Sequence, residues 1–129
     1  MAGPVPCDRA VQAGRLETAV QFHEQAEVIT TLAEGEGDVL DAAVTLLVHA
    51  GIAAADVICC ARLGQHARGQ DHREAIDLLA RADRSFSKDL AVLLGLKTKA
   101  GYSAVSMSNQ NHTRASRAAA RLVEAAQRI

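Results

Sequence analysis

The sequence predicts an all-α protein, an up-and-down bundle of four to five helices formed by a single domain of residues 1–129. Three observations support this prediction. Hydrophobic residues make up 49% of the chain but aromatic residues only 2%, and small apolar side chains suit packed helices better than sheets. Both prolines, Pro4 and Pro6, precede the first helical pattern, so no later proline breaks a helix. The most apolar segment, residues 38–62, has the length of a central helix.

The first two helices are predicted after a loose leader of residues 1–8. Apolar positions at helical spacing run from Asp8 to about Ala33, and Arg15 lies on the same face as these positions. The short segment 34–37 contains two glycines and ends this helix. Asp38 is then expected to be the N-cap of the central helix, which fades near residues 62–64.

Three further helices follow a polar loop at residues 65–70. Asp71 and Glu74 form an Asp-x-x-Glu pattern close to a capping box, which predicts a short third helix ending near Arg84. The fourth helix is expected to begin at residues 85–89 and to weaken around Gly101. Residues 103–110 are small and polar and predict a loop or a distorted turn, and the last helix runs from about Asn111 to the end.

A thin polar stripe runs along the central helix. Asp41, Thr45, His49 and Asp56 share one face at 3.6 residues per turn, and Ile52 fills the gap between His49 and Asp56. A membrane span is the competing interpretation of so apolar a segment. The polar residues inside it and its acidic start favour the core of a bundle instead, so no membrane is expected. His49 is either a base oriented by a carboxylate or a core residue with a hydrogen-bonded ring.

The net charge of −1 hides a strong asymmetry along the chain. Residues 1–61 contain Arg9 and Arg15 against nine carboxylates, a balance of −7. Residues 62–96 hold six basic and five acidic groups, and residues 97–129 hold six basic groups against Glu124, a balance of +5. This polarity predicts either charge pairing between helices of one bundle or a basic surface that meets an anion.

The three cysteines, Cys7, Cys59 and Cys60, are an odd number without a regular framework, and no signal segment begins the chain. Both features favour a reducing compartment, so the predicted location is the cytoplasm. Adjacent cysteines diverge by about 100° on a helix, which does not suit paired zinc ligands. We therefore expect no metal and no cofactor, and we interpret Cys59 and Cys60 as buried small hydrophobes.

The densest polar cluster surrounds the loop before the third helix. Cationic side chains there lie close to a helix N-terminus, whose free amides favour an anion such as phosphate. The cluster therefore predicts an anion or nucleotide contact, or alternatively ordinary salt bridges and capping. It comprises Arg62, His66, Arg68, His72 and Arg73.

Four segments together resemble the HEPN family of small helical bundles, in order and pattern over roughly residues 10–127. They are ICCARLG at the end of the central helix, GQDHREAIDLL, LKTKAGYS and RAAARLVEAA. The resemblance implies a homodimer, a nucleotidyltransferase-type protein partner and a place in a toxin–antitoxin pair. In ribonuclease members an Arg and a His, with four to six residues between them, cleave RNA without a metal at the dimer interface.

This sequence lacks that Arg-and-His spacing. Lys97 stands where the Arg is expected, and Gly101 and Tyr102 stand where the His is expected. Lys97 can contact a phosphate, but neither Gly101 nor Tyr102 supplies an imidazole. The resemblance then implies a non-catalytic module, with the central stripe lining the cleft between two protomers and facing residues 97–102.

Three functional hypotheses follow. The first is a dimeric interaction module that binds a nucleotide or RNA. The second is a metal-independent ribonuclease with an unusual histidine, His72 or His112. The third is a purely structural, self-associating helical protein. Under the first hypothesis the contacting residues are Lys97, Tyr102, Arg62, Arg68 and the basic stripe of the last helix, Arg114, Arg117 and Arg121.

Overall fold

The computed structural model describes residues 3–35, 37–69 and 71–129, and it confirms the all-α prediction. A 3-10 turn at Arg84–Phe86 leads into the fourth helix, and two short strands, β1 at Val5–Pro6 and β2 at Gln65–His66, pair antiparallel. The helices are α1 Arg9–Leu32, α2 Leu40–Leu63, α3 His72–Ala82, α4 Ser87–Tyr102 and α5 Asn109–Gln127.

Helix α2 is the centre of the molecule. It packs against α1, α4 and α5, and its apolar side chains from Leu40 to Cys60 are mostly buried. By length and composition α2 could also cross a membrane, but 72% of its most apolar window is covered by the other helices. The helix therefore serves as the core helix of this bundle, as the sequence predicts.

Small residues let the helices approach α2 closely. At Gly51 an added Cβ would overlap with Cδ1 of Leu93 and come within 3.4 Å of Cδ1 of Leu122. Leu93 and Leu122 are fully buried, so α2, α4 and α5 meet tightly at this glycine. Gly64 ends α2 in the left-handed region at φ 70° and donates its amide to the carbonyl of Cys60.

Side-chain caps fix most of the helix starts. The carboxylate of Asp8 accepts from the Val11 amide at 2.9 Å. That of Asp71 accepts from the Glu74 amide at 3.1 Å, as predicted. Helix α5 begins two residues earlier than expected, because the Ser108 hydroxyl caps it by accepting from the Asn111 amide at 3.0 Å.

The predicted N-cap at Asp38 is wrong. Helix α2 begins at Leu40, and its N-cap residue is Val39, whose side chain makes no capping hydrogen bond. Two turns precede it, in which the Asp38 amide donates to the Gly35 carbonyl at 3.2 Å and the Leu40 amide to Gly37 at 3.4 Å. These turns delay the helix until Leu40, whose side chain enters the core.

The expectation of a loose leader is also wrong for residues 3–8. Val5 pairs with His66 and Pro6 with Gln65, and a disulfide joins Cys7 to Cys60 with the Cα atoms 5.8 Å apart. Cys60 is therefore not a free buried thiol, whereas Cys59 is free and buried as predicted. Residues 1 and 2 lie outside the described residues. The leader is ordered because the α2–α3 loop gives it a strand partner and the last turns of α2 give it a disulfide partner.

Candidate functional site

A cavity of about 300 Å³ lies where the C-terminal half of α2 meets α1, α4, the α2–α3 loop and the start of α3. It exists because α1 and α4 both pack on α2 but, among the described residues, make no extensive contact with each other. Its apolar wall is Ile52, Ala55, Ala67, Ala75, Leu90 and Leu94. Its polar and ionisable lining is Arg15, Asp56, Cys59, His66, Arg68, Asp71 and His72.

An ion pair between two helices forms one side of this cavity. Nε of Arg15 on α1 donates to Oδ2 of Asp56 on α2 at 2.8 Å. Asp56 is buried, whereas the Arg15 side chain keeps 34% of its surface exposed. A guanidinium has five N–H donors, and the described residues provide a partner only for the Nε donor of Arg15.

Burial has the largest effect on the pKa of the Asp56 carboxyl group. Loss of water raises the pKa of Asp56 above its ordinary value, although Arg15 and His66 oppose that rise. Burial, reinforced by Asp56, raises the pKa of the neighbouring Cys59 thiol to about 12. Cys59 is therefore a protonated, unreactive wall of the cavity at neutral pH.

His66 is held in a defined orientation. Its Nδ1 lies 2.7 Å from the carbonyl oxygen of Ala67, which can only accept a hydrogen bond. Nδ1 therefore carries a proton, and in the neutral ring Nε2 has the free lone pair. The same Nδ1 lies 4.0 Å from Oδ1 of Asp56. The carboxylate thus faces one imidazole and one guanidinium.

The α2–α3 loop and the start of α3 form the far side of the cavity. Nε of Arg68 donates to the carbonyl of Gly3 at 2.8 Å, which fixes this exposed side chain against the N-terminal segment. Asp71 caps α3, and His72 is the first residue of that helix. The cavity therefore combines two guanidiniums and two imidazoles with two carboxylates that are already engaged.

The polar stripe of α2 divides into separate parts. Asp56 reaches the cavity, whereas Oδ1 of Asp41 accepts from the Met107 amide at 2.8 Å and so anchors the α4–α5 loop. The Thr45 hydroxyl donates to the Asp41 carbonyl, also at 2.8 Å. The stripe thus has one structural end and one end in the cavity.

His49 lies between these ends. It is exposed, so its interpretation as a core histidine is wrong. Its ring packs edge-on against Phe22 with the centroids 6.1 Å apart. Loss of water around the ring, with smaller contributions from Lys97 and Arg15, lowers its pKa below 6.5. Lys97 is thus near enough to His49 to act on it electrostatically, and no hydrogen bond or ion pair joins His49 to Asp56 within the described part of the chain.

The predicted basic contacts do not meet at one site. Of the predicted cluster and basic contacts, only His66, Arg68 and His72 line the cavity. Arg62 acts electrostatically on Asp83, Arg73 lines a separate depression outside α3, and Tyr102 is 87% exposed at the end of α4. The polar cluster around the loop is thus divided between the two sides of α3.

The basic stripe of α5 is engaged with another helix only through Arg121, among the described residues. Nε of Arg121 donates to Oδ2 of Asp89 at 3.0 Å, and its guanidinium lies 5.6 Å from the Phe86 ring centroid.

The other basic residues of α5 lie elsewhere. Nη1 of Arg114 lies 3.5 Å from Oδ1 of Asn111. Arg117 and His112 line an open depression between α1 and α5, away from the cavity. The interpretation of the charge asymmetry as pairing between helices therefore applies to Arg121.

The sequence prediction missed the pairing of Arg15 with Asp56, although the signals were present. Arg15 occupies an inward position of an amphipathic helix, and Asp56 lies within an apolar one. A cation and an anion that both point inward from neighbouring helices satisfy each other. Nothing in the spacing of the cysteines indicated that Cys7 pairs with Cys60.

Comparison of the chain with protein-family models, with curated proteins and with solved structures gives no match. Among the described residues, no group of three or more His, Cys, Asp and Glu side chains could hold a metal ion. The resemblance to the HEPN family thus remains a prediction from the sequence, and the cavity is the basis for a functional argument.

Proposed function

We propose that this chain is a non-catalytic, HEPN-like helical module that binds the phosphate of a nucleotide, either free or at the end of an RNA strand. The observation that carries the proposal is the cavity in which Arg15, Arg68, His66 and His72 converge. Guanidiniums recognise phosphate oxygens through planar, paired N–H donors. Both arginines use Nε for the protein, and their remaining donors have no partner among the described residues.

The carboxylates of the cavity do not cancel this positive character. Asp56 is paired with Arg15 at 2.8 Å, and its raised pKa reflects burial away from the solvent side. Asp71 accepts from the Glu74 amide as the cap of α3. Arg68 and the two imidazoles then determine how the open part of the cavity interacts with an anion.

The size and the apolar wall favour a single nucleotide. Ligand pockets commonly measure about 300–1,000 Å³, and this cavity measures about 300 Å³. Ile52, Leu90 and Leu94 form an apolar wall against which a base or ribose can pack. A duplex does not fit, so an RNA ligand would enter by a terminal nucleotide.

The proposal includes a homodimer and a nucleotidyltransferase-type protein partner within a toxin–antitoxin pair, as the HEPN resemblance implies. Support for a basic contact surface comes from Lys97, which acts electrostatically on the exposed His49 in the middle of the stripe. Sedimentation of the purified protein tests the dimer, and co-expression with the protein encoded beside it tests the partner.

Calorimetric titration tests the binding function. The ligands are inorganic phosphate, adenosine 5′-monophosphate and a short RNA with or without a 5′-phosphate. Arg68→Gln should weaken nucleotide binding by about 10-fold or more, since a hydrogen bond to a charged group contributes roughly 1.5–3 kcal/mol. Arg73→Gln is the matched control, because Arg73 lines a different depression. If none of these ligands binds saturably, the purely structural hypothesis is favoured.

A second candidate function is metal-independent ribonuclease activity. It is favoured by the presence of two imidazoles, His66 and His72, in one cavity with guanidiniums. One imidazole would take the proton of the ribose 2′-hydroxyl, and the other would protonate the leaving oxygen. The test is an RNA-cleavage assay in the presence of a chelator. Cleavage that is lost in His72→Ala and kept in His112→Ala would establish ribonuclease activity over simple binding.

A further inference from the structure

The N-terminal segment is fastened to the loop that forms one side of the cavity. A disulfide joins Cys7 to Cys60, and β1 pairs with β2 directly after α2. The Cys7 amide donates to the Gly64 carbonyl at 3.0 Å, and Nε of Arg68 donates to the Gly3 carbonyl at 2.8 Å. Four separate links thus hold residues 3–7 on residues 60–68.

These links act on the residues that line the cavity. His66 belongs to β2 and pairs with Val5, and Arg68 takes its position from Gly3. The strands are two residues long, and so short a pairing is marginal in water by itself. The covalent bond between Cys7 and Cys60 therefore keeps the weaker links together.

The third cysteine does not compete for this bond. Cys59 neighbours Cys60 in the sequence, but its side chain is buried at the wall of the cavity. Its thiol remains protonated at neutral pH. Attack on a disulfide requires a thiolate. The Cys7–Cys60 pairing is thus protected from rearrangement, and its opening requires a thiol from outside the chain.

We propose that the Cys7–Cys60 disulfide is a redox switch that controls phosphate binding in the cavity, an inference that rests on the proposed function. A dithiol reductant opens it. The reductant's thiolate attacks Sγ of the more accessible Cys7, the Cys7–Cys60 bond breaks, and Cys60 takes up a proton. The second thiol of the reductant then displaces Cys7, leaving two protein thiols and an oxidised reductant.

Opening the disulfide lowers affinity because the loop then samples many conformations. Without the covalent link, β1 separates from β2, and Arg68 and His66 lose their fixed positions. If the binding-competent loop falls to about a tenth of the population, affinity falls about 10-fold. In the reducing cytoplasm that the sequence predicts, a disulfide of this kind forms transiently and reports the redox state.

Calorimetric titration of the full chain with adenosine 5′-monophosphate tests the switch. The protein is compared before and after treatment with a dithiol, and its thiols are counted by mass spectrometry. We expect oxidised wild-type protein to bind about 10-fold more tightly than reduced protein. Cys7→Ser should bind weakly under both conditions. Equal affinity in both states overturns the switch.

Amide hydrogen exchange separates this proposal from the proposed function. If neither state binds the nucleotide, the proposed function fails. The redox control of the loop is then judged by the amides of His66, which pairs with Val5, and of Cys7, which donates to the Gly64 carbonyl. Loss of their protection on reduction, with unchanged protection in the centre of α2, supports the control of the loop. Unchanged protection in the loop overturns it.

Discussion

Arg15 and Asp56 are 41 residues apart in the chain, and their side chains meet at 2.8 Å across the interface between α1 and α2. The pair lies at the edge of the cavity, with the carboxylate buried and the guanidinium partly exposed. It therefore links the core of the bundle to the candidate site. Asp56 is the one buried charged residue of the described chain, which makes its partner important for stability.

Removal of Arg15 should destabilise the fold. Arg15→Gln leaves the buried carboxylate without its cation, and an unsatisfied buried polar group costs roughly 1–3 kcal/mol. The pKa of Asp56 should rise further, because Arg15 opposes the effect of burial. Urea unfolding measures the free energy of unfolding. Arg9→Gln, an exposed position in the first turn of α1, is the control and should change little.

A double variant shows whether the two side chains act as a pair. Arg15→Gln with Asp56→Asn should cost less than the sum of the two single changes, because the second change removes the unpaired charge. Strict additivity of the unfolding free energies would show that the ion pair contributes nothing to stability.

His49 should titrate below 6.5 in the folded protein. Loss of water, Lys97 and Arg15 all disfavour its charged form. Proton NMR of the imidazole measures this pKa, and Lys97→Met should raise it, whereas Lys88→Met should not. Since the folded-state pKa is lowered, the contribution of His49 to stability is present above pH 6.5 and is lost as the pH falls through its folded-state value. An unchanged His49 pKa in Lys97→Met would contradict the position of Lys97 beside the stripe.

Two glycine substitutions should have opposite effects. Gly51→Ala places a methyl group against the buried Leu93, and overpacking of this kind costs roughly 1–3 kcal/mol. Gly14→Ala in α1 meets nothing within 4 Å and should stabilise the helix by up to about 1 kcal/mol. Thermal unfolding of the two variants beside wild type measures both. Stabilisation by Gly51→Ala would mean that α2 and α4 are farther apart than the structure has them.

The disulfide should contribute substantially to the free energy of unfolding. Cys7 and Cys60 are 53 residues apart, and closing a loop of that length in the unfolded chain corresponds to about 4 kcal/mol. Cys7→Ser should therefore unfold at lower urea concentration than oxidised wild type. A dithiol should lower the stability of wild type and leave that of Cys7→Ser unchanged. Equal stability of wild type with and without the dithiol would contradict this contribution.

The helices could be predicted because local signals define them. Asp8 and Asp71 have side chains that cap helices, and Gly64 ends α2. The start of α2 could not be placed from Asp38, since two turns and the burial of Leu40 decide it. Local capping preference was overridden there by turn formation and core packing.

The candidate site was only partly predictable because it is assembled from distant segments. Arg68 and His72 stand in one polar cluster of the sequence, but Arg15 joins them only through the packing of α1 on α2. The basic residues of α5 looked like a continuous surface, yet Arg121 is engaged with Asp89. Periodicity shows which face of a helix a residue occupies, whereas its partner depends on which helices become neighbours.

NMR titration with adenosine 5′-monophosphate gives the most direct test of the binding claim. His66 and His72 line the cavity, whereas His23 and His112 line the depression between α1 and α5 and provide internal controls. We predict saturable shifts of the His66 and His72 imidazole signals, absent in Arg68→Gln and preserved in Arg73→Gln. Shifts confined to His23 and His112, or no saturable shift at His66 and His72, would contradict nucleotide binding in this cavity.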